Sequence, residues 1–158
     1  MIRTLTRAVA FMLAAVATAP AANADPMSDL VGLMPRGYAP DACQPGDVMG
    51  EEIVVLNCDG GNSIPGAPDG AVYVLLPSPD RANYHFEKMY GGHSTPTFVP
   101  GPCPGNPDAG ISRWAGGRLA CGAVDGAPFI IYFNGPVLGA LRGHDLPSMY
   151  AWWMAADL

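Results

Sequence analysis

The stretch that decides the fold is Gly117-Arg118-Leu119-Ala120-Cys121-Gly122-Ala123-Val124-Asp125-Gly126-Ala127-Pro128-Phe129-Ile130-Ile131-Tyr132-Phe133-Asn134-Gly135-Pro136-Val137-Leu138-Gly139-Ala140-Leu141-Arg142. Asp125-Gly126 and Asn134-Gly135 each join two apolar runs, and both are preferred pairs for two-residue hairpin turns because their central residues tolerate positive φ. A three-stranded antiparallel meander over residues 118–124, 128–133 and 136–142 follows. Downstream of Gly143, Asp145 can cap a last helix that runs to Ala156, with Leu146, Met149, Tyr150 and Trp153 at the i, i+3, i+4, i+7 spacing of a buried face. Trp152 falls about a hundred degrees away from that stripe.

Upstream, residues 91–117 hold Pro96, Pro100, Pro102, Pro104 and Pro107, which predicts a long tethered loop rather than a ladder. Ser78-Pro79-Asp80 is a helix start: Ser caps, Pro fits the first turn without losing a bond, and Asp complements the dipole. Gly91 supplies the stop. On that helix Ala82, Phe86, Met89 and Tyr90 share a face, while Arg81, His85 and Lys88 lie largely outside it. Residues 51–57 and 71–76 read as strands around a Gly/Pro-rich loop. A short helix with Ser28 as cap and Leu30, Leu33 and Met34 on one face should end at Pro35. Each half thus offers a cysteine, a loop, a cysteine on a strand, a strand bearing Tyr73 or Tyr132, and an aromatic-rich helix. A diverged duplication of a ββα unit would produce that recurrence.

The chain has 158 residues, 49% hydrophobic and 14% charged, with 20 Gly and 17 Pro, which is room for one domain with short elements and many turns. Arg3 and Arg7, an uncharged run over residues 8–19, and Ala22-Asn23-Ala24 form the three zones of a secretory signal; the run is too short to span a bilayer. Residues 1–24 are therefore expected to be removed on Sec export, and residues 25–158 to form one secreted, extracytoplasmic domain without a membrane anchor. The formal charge of -6 gives no cationic surface for phosphate backbones, so nucleic acid is not an expected partner. The four cysteines, Cys43, Cys58, Cys103 and Cys121, read as two disulfides in an exported chain. Of the three pairings, Cys43 with Cys58 and Cys103 with Cys121 is favoured, because each pair brackets a Gly/Pro-rich loop running into a strand.

Several of these residues form an ordered set: Leu33-Met34-Pro35-Arg36-Gly37-Tyr38 before Cys43, Asn57-Cys58, Cys103-Pro104-Gly105, Trp114, the run 117–122, and Gly143-His144-Asp145-Leu146 leading to Trp152-Trp153. The set resembles the small two-disulfide domains of mycobacterial and other actinobacterial exported proteins, including extracellular portions of some receptor-type serine/threonine kinases. The Ala-Asn-Ala-Asp-Pro junction is similar to mycobacterial signal-peptide cleavage sites. The resemblance implies a fold and a compartment, and brings no catalytic residues with it.

Chemistry is sparse. No Gly-x-Ser-x-Gly elbow occurs, and His93-Ser94 is the least unfavourable nucleophile site. His144-Asp145 could be a base and its orienter, although a helix cap explains Asp145. No metal is expected, since the three histidines lack ligand spacing, and no cofactor signature is present. Glu51-Glu52 would point to opposite sides of a strand and cannot flank one glycosidic bond. What remains is recognition through large amphipathic side chains, among them Tyr84 and Tyr90, with Trp152 and Trp114 as candidate binding residues. The expectation is an α+β domain, its antiparallel sheet packed by two amphipathic helices. It would bind an unidentified envelope or extracellular component without catalysis, the alternative being a small secreted hydrolase whose Ser and His meet only in the fold.

Overall fold

The computed structural model describes residues 25–105, 111–114 and 116–156; the expected export segment lies outside them. The elements run α1 (Pro26–Leu33), β1 (Cys43–Pro45), β2 (Val54–Cys58), β3 (Gly70–Leu75), α2 (Pro79–Tyr90), β4 (Phe98–Gly101), β5 (Ile111–Trp114), β6 (Gly117–Val124), β7 (Ala127–Asn134), β8 (Val137–Arg142) and α3 (Leu146–Ala155). All ladders are antiparallel, in the order β1-β2-β3-β8-β7-β6-β4, with β5 on the same outer edge of β6 as β4. The α+β class and the meander expected from the sequence are present.

The sheet alternates strictly between two cores. On one face Leu56, Tyr73, Leu119, Ile130, Tyr132 and Leu141 pack under α1 and α3, with Leu30, Met149 and Trp153. On the other, Val55, Val74, Ile131, Phe133 and Leu138 pack under α2 through Ala82 and Phe86. Successive strand residues point to opposite sides, so an unbroken run such as Phe129 to Phe133 requires cover on both. Among the described residues three helices pack on the sheet where two were expected, and α2 and α3 lie on opposite faces. The residues that correspond between the two halves, Cys58 with Cys121 and Tyr73 with Tyr132, share one face.

The caps follow local chemistry. Ser78 accepts from the Arg81 amide and Asp145 from the Ser148 amide; hydrogen bonding from the Ser148 hydroxyl, then from its amide, lowers the Asp145 carboxyl below its ordinary range. Asp25, not Ser28, caps α1: its carboxylate accepts from the Met27 amide, and Pro26 occupies the first turn. The second hairpin turn is displaced by one residue. Asn134 pairs with Val137, so the loop is Gly135-Pro136 with Gly135 at φ 53, the arrangement of a turn with Gly first. The first is Asp125-Gly126 at φ 51 and 79, as expected.

The proline-rich segment holds two strands that its composition hid. Phe98–Gly101 pairs with residues 121–124 and Ile111–Trp114 with residues 117–120, because an edge strand bonds on one side only and tolerates Pro100. Cys103–Cys121 anchors the chain just after β4 to β6, and Cys43–Cys58 joins directly opposed residues of β1 and β2.

One register row matters most. Gly139 lies between Tyr73 and Tyr132, and a Cβ built on it would sit 2.2 Å from the Tyr132 ring. The glycine is the space in which that ring rests. Tyr73 also meets Tyr38, hydroxyl to hydroxyl at 2.8 Å; burial raises both phenols, that of Tyr38 to about 12.

Gly139→Ala should destabilise the fold by about 3 kcal/mol, since overpacking a fixed ring outweighs the smaller entropic gain of replacing glycine. A fall in urea midpoint at unchanged slope would show it; an unchanged midpoint would mean that the ring is not held there. Replacing Cys103 and Cys121 together with alanine should cost about 3 kcal/mol in the same assay, the loop-closure entropy of a loop this long.

Candidate functional site

Among the described residues α2 is the one helix that covers the second face. Twelve residues make a helix about 18 Å long, whereas seven strands side by side span about 29 Å. The helix follows Phe86 over Phe133 and ends with Tyr90 against Phe98, so its cover falls on β7, the start of β8 and β4. The lower half of β2, β3 and β8 stays open. There a groove of about 990 Å³ has Val72, Val74, Leu138, Ala140 and Phe129 as its floor and His85, Lys88 and Met89 of α2 as one wall. The loop after α2, with His93, Ser94, Thr95 and Pro96, closes one end, and its Thr95–Pro96 peptide is cis. Val72 is 37% exposed, unusual for a valine in a paired inner strand.

The charged side chains around the groove are largely committed. Arg81 donates to both Glu51 oxygens, with Nε to Oε2 at 2.7 Å, and His85 Nε2 lies 2.7 Å from Oε1. Arg81, then His85, hold the Glu51 carboxyl down at about 2. Glu51 precedes the strand instead of opening it, and clamps the turn before β2 to α2. Glu52 is turned into its own loop, accepting from the Met49 amide at 2.8 Å. Expected on the solvated side of its helix, His85 is half-buried against that clamp.

The candidate nucleophile site and base site do not meet. Ser94 Oγ donates to the Pro96 carbonyl at 3.1 Å, and His93 folds back toward Gly91. His144 Nδ1 is 3.1 Å from Asp69, not paired with the adjacent Asp145. Among the described residues no serine is hydrogen-bonded to a histidine, and no cluster of three potential metal ligands occurs.

The expected exposure of Trp152 is corrected. It is 1% exposed, in a T-shaped contact with Tyr38, and its indole donates to Asn62 Oδ1 at 3.2 Å. Asn62 in turn donates to the Arg36 carbonyl, so Trp152 ties α3 to the folded-back segments around Tyr38 and Asn62. Helical periodicity misplaced it because α3 is buried on two sides, by the sheet at Trp153 and by those loops at Trp152. Trp114 ends β5 opposite Gly117; its side chain lies outside what is described. Tyr90 packs between Phe86 and Phe98, while Tyr84 is exposed, with Arg81 4.4 Å and Lys88 5.2 Å from its ring centre. Sequence reading missed the groove, although the isolated Val72 between strand neighbours and the single short helix of that face were its visible signals.

The Glu51 clamp gives a pH signature. A carboxyl whose folded value is depressed from 4.5 to about 2 stabilises the fold fully above its ordinary value and ceases to do so as pH falls through about 2. Glu51→Gln should therefore lower the urea midpoint at neutral pH, and the gap to the parent should close between pH 4.5 and about 2. A gap independent of pH would mean that the clamp does not form.

Comparison with known proteins gives no match to this arrangement: no family model fits the sequence, and no curated protein or solved structure is recognisably similar to it.

Proposed function

We propose that the chain is an exported binding domain that works without catalysis and takes its ligand, an envelope or extracellular component, in the groove beside α2. The observation that carries the reading is the open apolar floor: Val72 stands exposed on an inner strand, under a single helix too short to reach it. Inner-strand faces are ordinarily covered, and concave, mostly apolar surfaces with a few polar groups at the rim are where ligands are held. The two disulfides fit an oxidising compartment, and no helix among the described residues is long and apolar enough to cross a membrane. These support export by way of the signal at residues 1–24, in keeping with the resemblance to actinobacterial exported domains. A ββα duplication is supported by the recurring cysteines and tyrosines, and opposed by α2 and α3 docking on opposite faces.

The hydrolase reading has one observation in its favour, that His85, His93 and Ser94 line the same groove. It requires Ser94 to leave the Pro96 carbonyl and find a base, so the binding reading ranks first.

Native mass spectrometry of protein purified from its own host's culture fluid, without reductant, tests both. The expected polypeptide mass is that of residues 25–158 less four hydrogens, accompanied by a reproducible additional mass that Val72→Trp, which raises a bulky ring from the groove floor, removes. An additional mass that survives Val72→Trp would place the ligand elsewhere. Ester hydrolysis abolished by Ser94→Ala would establish the enzyme instead.

A further inference from the structure

The four cysteines form two bridges whose surroundings differ. The spans they close are nearly equal, 15 and 18 residues, so chain entropy does not separate them. Burial does. Cys58, Cys103 and Cys121 are each at most 2% exposed, and Cys121 lies in β6 with a strand paired on either side. Cys43 is half-buried, the one cysteine of the four that is not enclosed. A disulfide is cleaved by a thiolate that approaches one of its sulfurs, so access at a single cysteine is sufficient.

The chain around Cys43 is also lightly held. β1 is three residues long, stands at the end of the sheet and closes with Pro45. From Ala39 to Gly46 no residue is fully buried. Around the β1–β2 ladder this strap is tied by main-chain bonds: the Ala39 amide donates to the Gly61 carbonyl at 3.0 Å, the Asp59 amide to the Ala42 carbonyl at 3.2 Å, and the Gly46 amide to the Val55 carbonyl at 2.8 Å. A segment with little buried apolar surface and exposed backbone bonds opens locally, while the rest of the fold stays closed. Cys43–Cys58 is the covalent fastening of the strap, which leads back into Tyr38, packed on Trp152 and bonded to Tyr73.

We propose that Cys43–Cys58 is a thiol–disulfide exchange site, opened by a Cys-x-x-Cys dithiol protein through attack on the Cys43 sulfur, whereas Cys103–Cys121 is a permanent bridge. The partner's thiolate forms a bond to the Cys43 sulfur as the Cys43–Cys58 bond breaks, and Cys58 leaves as a thiolate that takes a proton from water. The partner's second thiol then gives up its proton and displaces Cys43, which is protonated in turn, and the partner departs as a disulfide. Two electrons and two protons pass from the dithiol to this chain. Reduction frees the strap and with it the outer edge of β2, on which a strand of another chain could then pair. Cys58 belongs to the first core, on the face opposite the groove beside α2, so the two sites act independently.

Reduction of the native protein by dithiothreitol, quenched with acid at intervals, alkylated in denaturant and mapped by peptide mass, reads the two bridges separately. Cys43 and Cys58 should become free about a hundredfold sooner than Cys103 and Cys121, because a sheet edge opens locally whereas a bridge buried between paired strands waits for a much larger opening. Thioredoxin whose second active-site cysteine is replaced by serine should be trapped as a mixed disulfide on Cys43. In the selectively reduced protein, hydrogen exchange should speed at the Gly46 and Asp59 amides and stay unchanged along the β6–β7 ladder. Equal rates for the two bridges, or faster release of Cys103 and Cys121, would overturn the exchange site. Loss of β6–β7 protection together with the first reduction would do so too, since it would mean that the bridge opens only with the whole fold. Trapping on Cys58 would overturn Cys43 as the sulfur attacked. Rapid reduction by dithiothreitol with no thioredoxin adduct would overturn the protein partner, and protection at Gly46 and Asp59 that survives reduction would overturn the release of the strap.

Discussion

Covering β7 on both sides is the constraint on which the architecture depends. Phe129, Ile131 and Phe133 point one way, Ile130 and Tyr132 the other, and water must be excluded from both sets. A hairpin or meander alone cannot do this, so helices are required above and below. The first side is over-supplied, because α1, α3 and the segments around Tyr38 and Asn62 all close on it; the Tyr132 ring fits there only because Gly139 has no side chain. The second side has, among the described residues, the single helix α2. The asymmetry between three covering pieces and one is what leaves Val72 and Ala140 bordering solvent.

The same asymmetry separates stability from recognition. Residues that hold the molecule together, Trp152, Tyr73 and the Asn62 bonds among them, lie under α3. Around the groove Val72, His85 and Lys88 are exposed or half-buried, whereas Val74, Leu138, Phe98 and Val124, which also line it, belong to the second core. Sequence could vary at Val72 and along the exposed rim at modest cost to the fold, whereas the row through Gly139 cannot.

Much of the scaffold was legible in the chain because it is locally encoded. Ser78-Pro79 and Asp145 specify helix starts within three residues, Asp125-Gly126 specifies a turn by φ alone, and the cysteine pairs bracket short loops. What could not be read depends on partners distant in sequence. The proline-rich strands exist because β6 offers a free edge; Trp152 is buried because a loop ninety residues earlier folds onto α3. The groove is harder still to foresee, since it arises from the length of one helix measured against the width of a sheet assembled from both ends of the chain.

The two outer margins of the sheet carry a further consequence. One ends in β1, three residues closing with Pro45; the other is divided between β4, which contains Pro100, and β5. Neither presents a long uninterrupted row of amide donors, since proline has none to give and short strands end before a foreign strand could zip along them. A sheet this apolar, at high local concentration, would otherwise template edge-to-edge association into fibres. Prolines that obscure these strands from a reader of the sequence are also what keep one molecule's sheet from continuing into the next.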